Sequence, residues 1–178
     1  MIAVRMRKYL VSVAWTPPPV AAPCLSRSPI MPLHPVFPSD LPPGTVGQFA
    51  ALCWQPRKDG HRVLLITSRD TGRWVMPKGW PIPGLTPQAS AAQEAWEEAG
   101  VEGKVAPDCI GHFTYYKDTG DRARFCAVAV FAVRVKKLAA DFPEKGQRRL
   151  KWYRPEKAAQ KVAEPELAAL LAAWQPAG

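Results

Sequence analysis

The chain has 178 residues, of which 47% are hydrophobic and 22% charged, so it has the length and apolar content of one globular domain. The 24 Lys and Arg residues outnumber the 15 Asp and Glu residues and give a formal net charge of +9. This charge favours polyanionic partners such as polyphosphates, nucleic acid or an anionic membrane face, but charge alone does not choose among them.

The cysteines predict a reducing compartment. Cys24, Cys53, Cys109 and Cys126 are widely spaced and form no Cys-x-x-Cys pair that would indicate a zinc site. No apolar run approaches the roughly 18 residues that a membrane span needs. We therefore expect a cytoplasmic protein with free thiols and no membrane partner.

The first 44 residues differ in texture from the rest. Half of the 20 prolines fall between Pro17 and Pro43, where no helical or alternating apolar pattern persists. We predict that residues 1–44 form an extended or disordered arm whose removal leaves folding intact, and that residues 45–178 form the domain. A plain tail, a start at Met31 and a docking arm are the alternatives for the arm.

After the arm, the chain predicts a β section followed by a helix. Strands are expected at 46–54, 62–68 and 74–76, with a hairpin turn at 57–60. A Pro/Gly loop at 77–85 leads into a helix over 86–99. Thr86 is its expected N-cap, Pro87 its first residue and Gly100 its end.

A second β section and two short helices complete the pattern. Strands are expected at 109–116, 124–135 and 150–153, and helices at 155–162 and 165–174. Strands interrupted by one helix and followed by terminal helices predict an α+β fold, with a mixed sheet between helices in an α/β/α sandwich.

The predicted helix carries three glutamates on one face. Glu94, Glu97 and Glu98 lie within an arc of about 100° near the end where the helix dipole is already negative. Like charges at this spacing repel by a few tenths of a kcal/mol, and no Lys or Arg on the helix offsets them. On helix geometry alone, Glu98→Gln is expected to raise stability slightly. Clustered carboxylates of this kind favour a hard divalent cation, and a solvated face is the alternative.

The loop before the helix suits a phosphate. Gly79 and Gly84 let backbone amides approach an anion closely, and the acidic helix begins just beyond them. A cation bridging the carboxylates to a phosphate group follows from this proximity.

The segment 79–101 resembles the Nudix box, G-x5-E-x7-R-E-U-x-E-E-x-G-U, where U is a bulky aliphatic residue. The box positions that match in register are Gly79, Glu94, Glu97, Glu98, Gly100 and Val101. Leu85 replaces the first box glutamate, Gln93 replaces the arginine, and Ala95 is a weak aliphatic match. Either the first two residues are repacked together, or activity is reduced through a lost contribution to metal binding.

The resemblance extends over about residues 46–170 and includes the segments 69–79 and 146–153. These segments look like the branch that contains diphosphoinositol polyphosphate and dinucleoside polyphosphate hydrolases. The resemblance implies a Nudix fold and a hydrolase that uses Mg²⁺, with Mn²⁺ as a substitute, to cleave diphosphate bonds in such substrates. Alternatives are a hydrolase of RNA 5′-triphosphate ends, one of other nucleoside diphosphate derivatives, or a sensing module without turnover.

By the same resemblance, Glu98 is the principal metal ligand, Glu97 a second, and Glu94 a ligand or the general base. Other candidates for the base are Asp118, Asp121 and Glu144. The candidate substrate-binding residues are Arg69, Arg73, Lys78, Gly79, Lys117, Arg122 and Arg124.

The aromatic residues Trp80, Tyr115 and Tyr116 either stack on a base or pack within the fold. The expected partner is a phosphorylated small molecule, and nucleic acid is expected only as an RNA 5′ end. The sequence predicts no oligomeric state.

Overall fold

The protein is built around a mixed β-sheet with helices on both faces. The computed structural model describes residues 34–118 and 123–176. Within these ranges the strands are β1 (Val46–Arg57), β2 (Gly60–Thr67), β3 (Trp74–Val75), β4 (Lys78–Gly79), β5 (Val101–Asp118), β6 (Ala123–Leu138) and β7 (Leu150–Tyr153). The helices are α1 (Pro87–Ala99), α2 (Pro155–Ala159) and α3 (Pro165–Ala173).

The sheet has the strand order β3-β2-β1-β6-β5, with β4 beside β1 and β7 beside β2. β1 and β6 are parallel, with Val46 opposite Cys126, whereas the other strand pairs are antiparallel. The predicted α+β architecture with a mixed sheet is therefore confirmed.

Both faces of the sheet are covered by apolar packing. Along β1, Phe49 and Cys53 face the layer that contains α1, whereas Ala50 and Leu52 face the layer that contains α2 and α3. A strand buried on both faces has no polar face to alternate with. This explains why the sequence of β1 is an apolar run, and it places the core on both sides of the sheet.

Helix α1 lies close to the sheet because its buried face consists of small residues. Ala91, Ala95 and Ala99 follow one another at intervals of four and are fully buried. The Thr86 hydroxyl accepts a hydrogen bond from the Ala89 N–H at 3.3 Å, and Gly100 ends the helix with a left-handed φ of 65°. The predicted caps are confirmed, and they fix where the glutamates stand.

Several predicted boundaries differ from the structure: β1 continues to Arg57, β6 continues to Leu138, and β4 lies within the predicted loop at 77–85. The largest difference is in β5. β5 begins at Val101, directly after α1, whereas the sequence predicted a strand from Cys109. Three register shifts interrupt its pairing with β6, and as an edge strand it tolerates Pro107, which has no N–H to donate. Helix α2 ends at Ala159, earlier than predicted. No helix in the described ranges is long and apolar enough to cross a membrane.

Residues 34–44, which belong to the predicted extended or disordered arm, pack against the domain and form no helix or strand. Phe37 is only 7% exposed and stacks on Phe49, with 5.7 Å between ring centroids. The Nε2 atom of His112 lies 2.8 Å from the Val36 carbonyl oxygen. Two aromatic contacts and apolar burial give this proline-rich stretch a fixed place without regular secondary structure. The rest of the predicted arm, residues 1–33, lies outside the described residues.

Candidate active site

A cavity of about 700 Å³ opens between helix α1, the strand ends around β4 and the loop before β7. Its lining contains both acidic and basic residues, and two groups of them are called the acidic wall and the basic wall. The acidic wall consists of Glu94, Glu97, Glu98 and Glu144. The basic wall consists of Arg73, Lys78 and Lys117.

Glu98 is the best-anchored residue of the acidic wall. It is 8% exposed, and its Oε2 accepts a hydrogen bond from the Lys78 backbone N–H at 2.9 Å. Its Oε1 pairs with the guanidinium of Arg148. Burial raises the pKa of this carboxyl group, whereas Arg148 and the Lys78 N–H oppose that increase. Strand β4 and helix α1 are therefore tied together through a charged side chain.

Arg148 links the acidic wall to the sheet. Its side chain is 6% exposed; its Nε donates to Glu144 at 2.8 Å, and its Nη1 donates to the Thr67 carbonyl oxygen at 3.0 Å. The Glu144 N–H in turn donates to the Glu97 carbonyl oxygen at 3.0 Å. One buried guanidinium thus holds two carboxylates that repel each other.

Glu94 packs against Gly79 at the start of the site. A β-carbon at Gly79 would overlap the Glu94 carboxyl group, so a larger residue would push that carboxyl group out of its place. Burial, followed by the charges of Glu98, Glu97 and Glu144, raises the pKa of Glu94 to about 7. Both burial and the neighbouring carboxylates therefore disfavour the charged form of Glu94.

The basic wall surrounds the ring of Tyr115. Lys78 Nζ lies 5.1 Å and Arg73 Cζ 5.7 Å from the ring centroid, and the Tyr115 hydroxyl donates to Gln48 at 2.6 Å. Lys117 Nζ lies 5.1 Å from the Trp80 ring centroid. Burial lowers the pKa of Lys78, and the charge of Glu98 opposes that decrease. Cation–π contacts hold Lys78 and Lys117 without neutralising them, which suits a polyanionic ligand.

Comparison with known proteins agrees with this geometry. The family model for the NUDIX domain matches residues 47–174. The mouse diphosphoinositol polyphosphate phosphohydrolase 3-alpha is 30% identical over 119 residues, which cover 66% of this chain and 69% of that protein. This chain belongs to the Nudix hydrolase family. It is therefore an enzyme that hydrolyses acid anhydrides.

Solved structures show the same fold. The Nudix domain superposes on the Ap4A hydrolase of C. elegans with a TM-score of 0.53 at 19% identity, covering 72% of this chain and 94% of that one. The dihydroneopterin triphosphate pyrophosphohydrolase of E. coli gives a TM-score of 0.56 at 14% identity, covering 70% and 91%. These similarities concern the fold alone.

The two departures from the Nudix box are accommodated locally. Leu85 is 45% exposed, and Gln93 Nε2 donates to Glu97 Oε1 at 2.7 Å, one turn along α1. Ser90 Oγ accepts from the Ile82 N–H at 3.3 Å and ties the loop to the helix. Gln93 therefore orients a box glutamate, and no charge is buried at either substituted position.

Most of the predicted site residues meet at the cavity. Arg69 lines it and pairs with Glu144 at 3.2 Å, and Asp118 lines its rim. Arg124 lies opposite Lys117 on β6 but is exposed and absent from the lining. Arg122 and Asp121 lie outside the described residues. The aromatic candidates Trp80, Tyr115 and Tyr116 all line the cavity.

Sequence reasoning assigned no role to three residues at or beside the site. Gln48 is 2% exposed within an apolar strand, and a polar residue in such a run is a detectable signal. Arg148 lies in a segment that resembles the family, but nothing in the sequence pairs it with Glu98. Glu164 reaches Arg73 from 91 residues away, a contact that no local pattern indicates.

The acidic wall has the chemistry to hold a divalent cation. Oxygen ligands are those that Mg²⁺ prefers, and burial together with three neighbouring carboxylates makes the charged form of Glu94 unfavourable, which a bound cation would oppose. Within residues 34–118 and 123–176, no three acidic, His or Cys side chains converge closely enough to form a ready-made ligand cluster. The donor atoms are of the type that the ion prefers.

Proposed function

We propose that this Nudix hydrolase is magnesium-dependent and cleaves the diphosphate bond of an inositol pyrophosphate or a dinucleoside polyphosphate. The observation that carries the proposal is the division of one cavity into an acidic and a basic wall. Lys78 joins the two, because its backbone N–H binds Glu98 while its ammonium group belongs to the basic wall. A phosphate chain between the walls would meet cations on one side and carboxylates on the other.

The residues divide the work accordingly. Arg73, Lys78 and Lys117 bind and orient the phosphate chain through charge-assisted hydrogen bonds. Glu98 and Glu97 hold the metal ion, Glu94 is either a third ligand or the general base, and Arg148 keeps Glu98 in place beforehand. When bound, Mg²⁺, or Mn²⁺ in its place, supplies positive charge that polarises the phosphate and favours loss of a proton from water.

The general base has two leading candidates on the acidic wall. Glu94 lies beside Gly79, whereas Glu144 is held by Arg148 and Arg69. Asp118 at the rim is a third. Single Glu94→Gln, Glu144→Gln and Asp118→Asn variants separate them, because loss of the base lowers kcat while leaving the magnesium affinity of the protein largely unchanged.

The substrate class rests on two different observations. The relatives named as diphosphoinositol polyphosphate phosphohydrolases favour an inositol pyrophosphate. The aromatic residues at the cavity rim favour a substrate that contains a nucleobase. Trp80 is 38% and Tyr116 71% exposed, and an exposed aromatic ring can stack on any nucleobase.

A substrate panel tests the proposal. Phosphate release is measured from diphosphoinositol polyphosphates, dinucleoside polyphosphates, other nucleoside diphosphate derivatives and 5′-triphosphorylated RNA, in Mg²⁺, Mn²⁺ and EDTA. We expect metal-dependent turnover of one of the first two classes. Tyr116→Ala should raise KM for a dinucleoside polyphosphate and leave KM for an inositol substrate unchanged, because Tyr116 lines the cavity without holding a cation of the basic wall.

Two outcomes would replace the proposal. Turnover of triphosphorylated RNA or of other nucleoside diphosphate derivatives alone would move the substrate to that class. Tight binding of a nucleotide without turnover under any metal condition would identify a sensing module instead. Incubation in ¹⁸O-labelled water and mass spectrometry of the products identify the phosphorus atom that water attacks.

A further inference from the structure

Glu164 is a buried acidic residue, and helix α3 does not account for its burial. It immediately precedes α3 and is 5% exposed, yet its side chain makes no capping hydrogen bond to the helix. A carboxylate in the interior destabilises the fold unless a cation or several donors compensate it. The burial of the Glu164 carboxylate must therefore be explained by a contact outside α3.

The partner of Glu164 is a residue of the basic wall. Its Oε1 accepts a hydrogen bond from Arg73 Nη1, across 91 residues of sequence. Its Oε2 has no hydrogen-bond partner among the described residues. The ion pair with Arg73 is thus the main compensation for the negative charge of Glu164.

Arg73 remains open to the cavity. Its side chain is 34% exposed, it lines the cavity, and the Tyr115 ring supports its guanidinium. A guanidinium has five N–H donors, and within the described ranges Glu164 is its hydrogen-bonding acceptor. The remaining donors can reach an anion.

We propose that Glu164 is a positioning residue that holds Arg73 ready to bind a substrate phosphate. An arginine side chain has many rotamers, and fixing it before the ligand arrives removes an ordering cost from binding. Leu167 and Leu171 anchor α3 in the core, so the backbone of Glu164 at the start of this helix is held in place. The C-terminal helix becomes part of the substrate site, although it carries none of the Nudix box.

The test uses two substitutions that act differently on the helix. Glu164→Asp keeps the charge and provides a better N-cap, but it is one methylene too short to hold Arg73 in place. Glu164→Gln keeps the length and removes the charge. A residue with a purely structural role would tolerate Asp, so reduced anion binding with an unchanged melting temperature distinguishes positioning from structural support.

Binding of inorganic tripolyphosphate is measured by titration calorimetry in EDTA. We expect both variants to bind about fivefold more weakly than wild type, and Arg73→Ala to lose at least as much. Adding Glu164→Gln to Arg73→Ala should cause no further loss. The matched control is Glu166→Gln, two residues along, whose carboxylate binds Thr114 at 3.1 Å outside the cavity lining and should leave binding within twofold.

Three results would overturn the inference. They are unchanged binding in both Glu164 variants, a further loss of binding in the double variant, and a wild type that does not bind tripolyphosphate. The inference rests on the proposed function for the identity of the site. The two fail separately, however: a protein that binds tripolyphosphate but hydrolyses no substrate contradicts the proposed function and leaves the role of Glu164 standing. With an active wild type, KM should rise in both variants while kcat stays within twofold.

Discussion

The two walls of the cavity are built in different ways. Three of the four acids of the acidic wall stand on one helix, and their spacing in the sequence places them together. The basic wall draws Arg73, Lys78 and Lys117 from three separate segments, held by Tyr115, Trp80 and Glu164. The acidic wall is therefore a local motif, and the basic wall a product of tertiary packing.

The walls also differ in how their charges are balanced. Glu98 and Glu144 share the buried Arg148, whereas Lys78 and Lys117 are held by aromatic rings and form no ion pair within the described ranges. We expect substitutions in the acidic wall to change both chemistry and stability. Substitutions in the basic wall should change mainly binding.

The largest expected effect is that of Glu98→Gln. Turnover should fall about 1,000-fold, because the amide keeps the shape but loses the charge that holds the metal. The metal-free protein should also lose about 2 kcal/mol of stability, since Arg148 loses a charged partner. This reverses the small gain expected from helix geometry alone, which did not include Arg148.

Phosphate release and urea unfolding in EDTA measure the two effects. Glu102→Gln is the matched control, because Glu102 forms a surface ion pair with Lys137 away from the cavity. A variant that keeps its turnover would remove Glu98 from the acidic wall's function. Increased stability would show that repulsion on the helix outweighs the pair with Arg148.

The next effect tests the packing beneath the acidic wall. Phe37 stacks on Phe49, and Phe49 lies opposite Gly79 in the sheet. Phe37→Ala should cost about 3 kcal/mol in the free energy of unfolding. Removing residues 1–33 should cost much less than removing residues 1–44, which takes Phe37 away. Equal losses in melting temperature for the two truncations would contradict this assignment.

A smaller effect separates Lys117 from Arg124, which lie opposite each other on neighbouring strands. Lys117 lines the cavity and Arg124 does not. Lys117→Ala should raise KM about fivefold, and more for substrates with more phosphates, whereas Arg124→Ala should change it less than twofold. Equal effects would place the phosphate chain outside the basic wall.

The smallest effect concerns charge repulsion within the acidic wall. The pKa of Glu94 is raised to about 7, so folding favours its protonated form, and ionisation costs stability progressively between about pH 4.5 and pH 7. In EDTA, Glu94→Gln should raise the melting temperature by about 3 °C at pH 8 and by little at pH 5. Glu156→Gln on α2 controls for general loss of negative charge. A gain independent of pH would mean that repulsion is not its cause.

The acidic wall could be predicted from the sequence because its geometry is helical. Thr86 and Gly100 set the ends of α1, and four-residue spacing then places the glutamates on one face. The partner of Glu98 could not be predicted, because Arg148 lies 50 residues further along the chain. Because Arg148 is absent from the local pattern, helix geometry alone predicts the opposite sign for the stability change of Glu98→Gln.

The fold was predictable in type but less so at its margins. Buried apolar runs and turn residues predicted β1 and β2, whereas the first part of β5 contains Pro107 and Gly103, which disfavour a strand. Phe37 shows the opposite failure. A proline-rich stretch without periodicity predicts disorder, but Phe37 is buried against Phe49 and gives this stretch a defined position.

The parallel pairing of β1 with β6 has a consequence for how the chain acquires this structure. Val46 lies opposite Cys126, so the central strands cannot join until the intervening loops, α1 and β5 have been synthesised. Closing so long a loop is entropically unfavourable until the distant contacts form, and folds dominated by such contacts fold slowly. During synthesis, the edge of β1 that pairs with β6 therefore stays unpaired until β6 has been made. Both walls of the cavity are complete only after β6, because Glu144, Arg148 and Glu164 follow it in the chain.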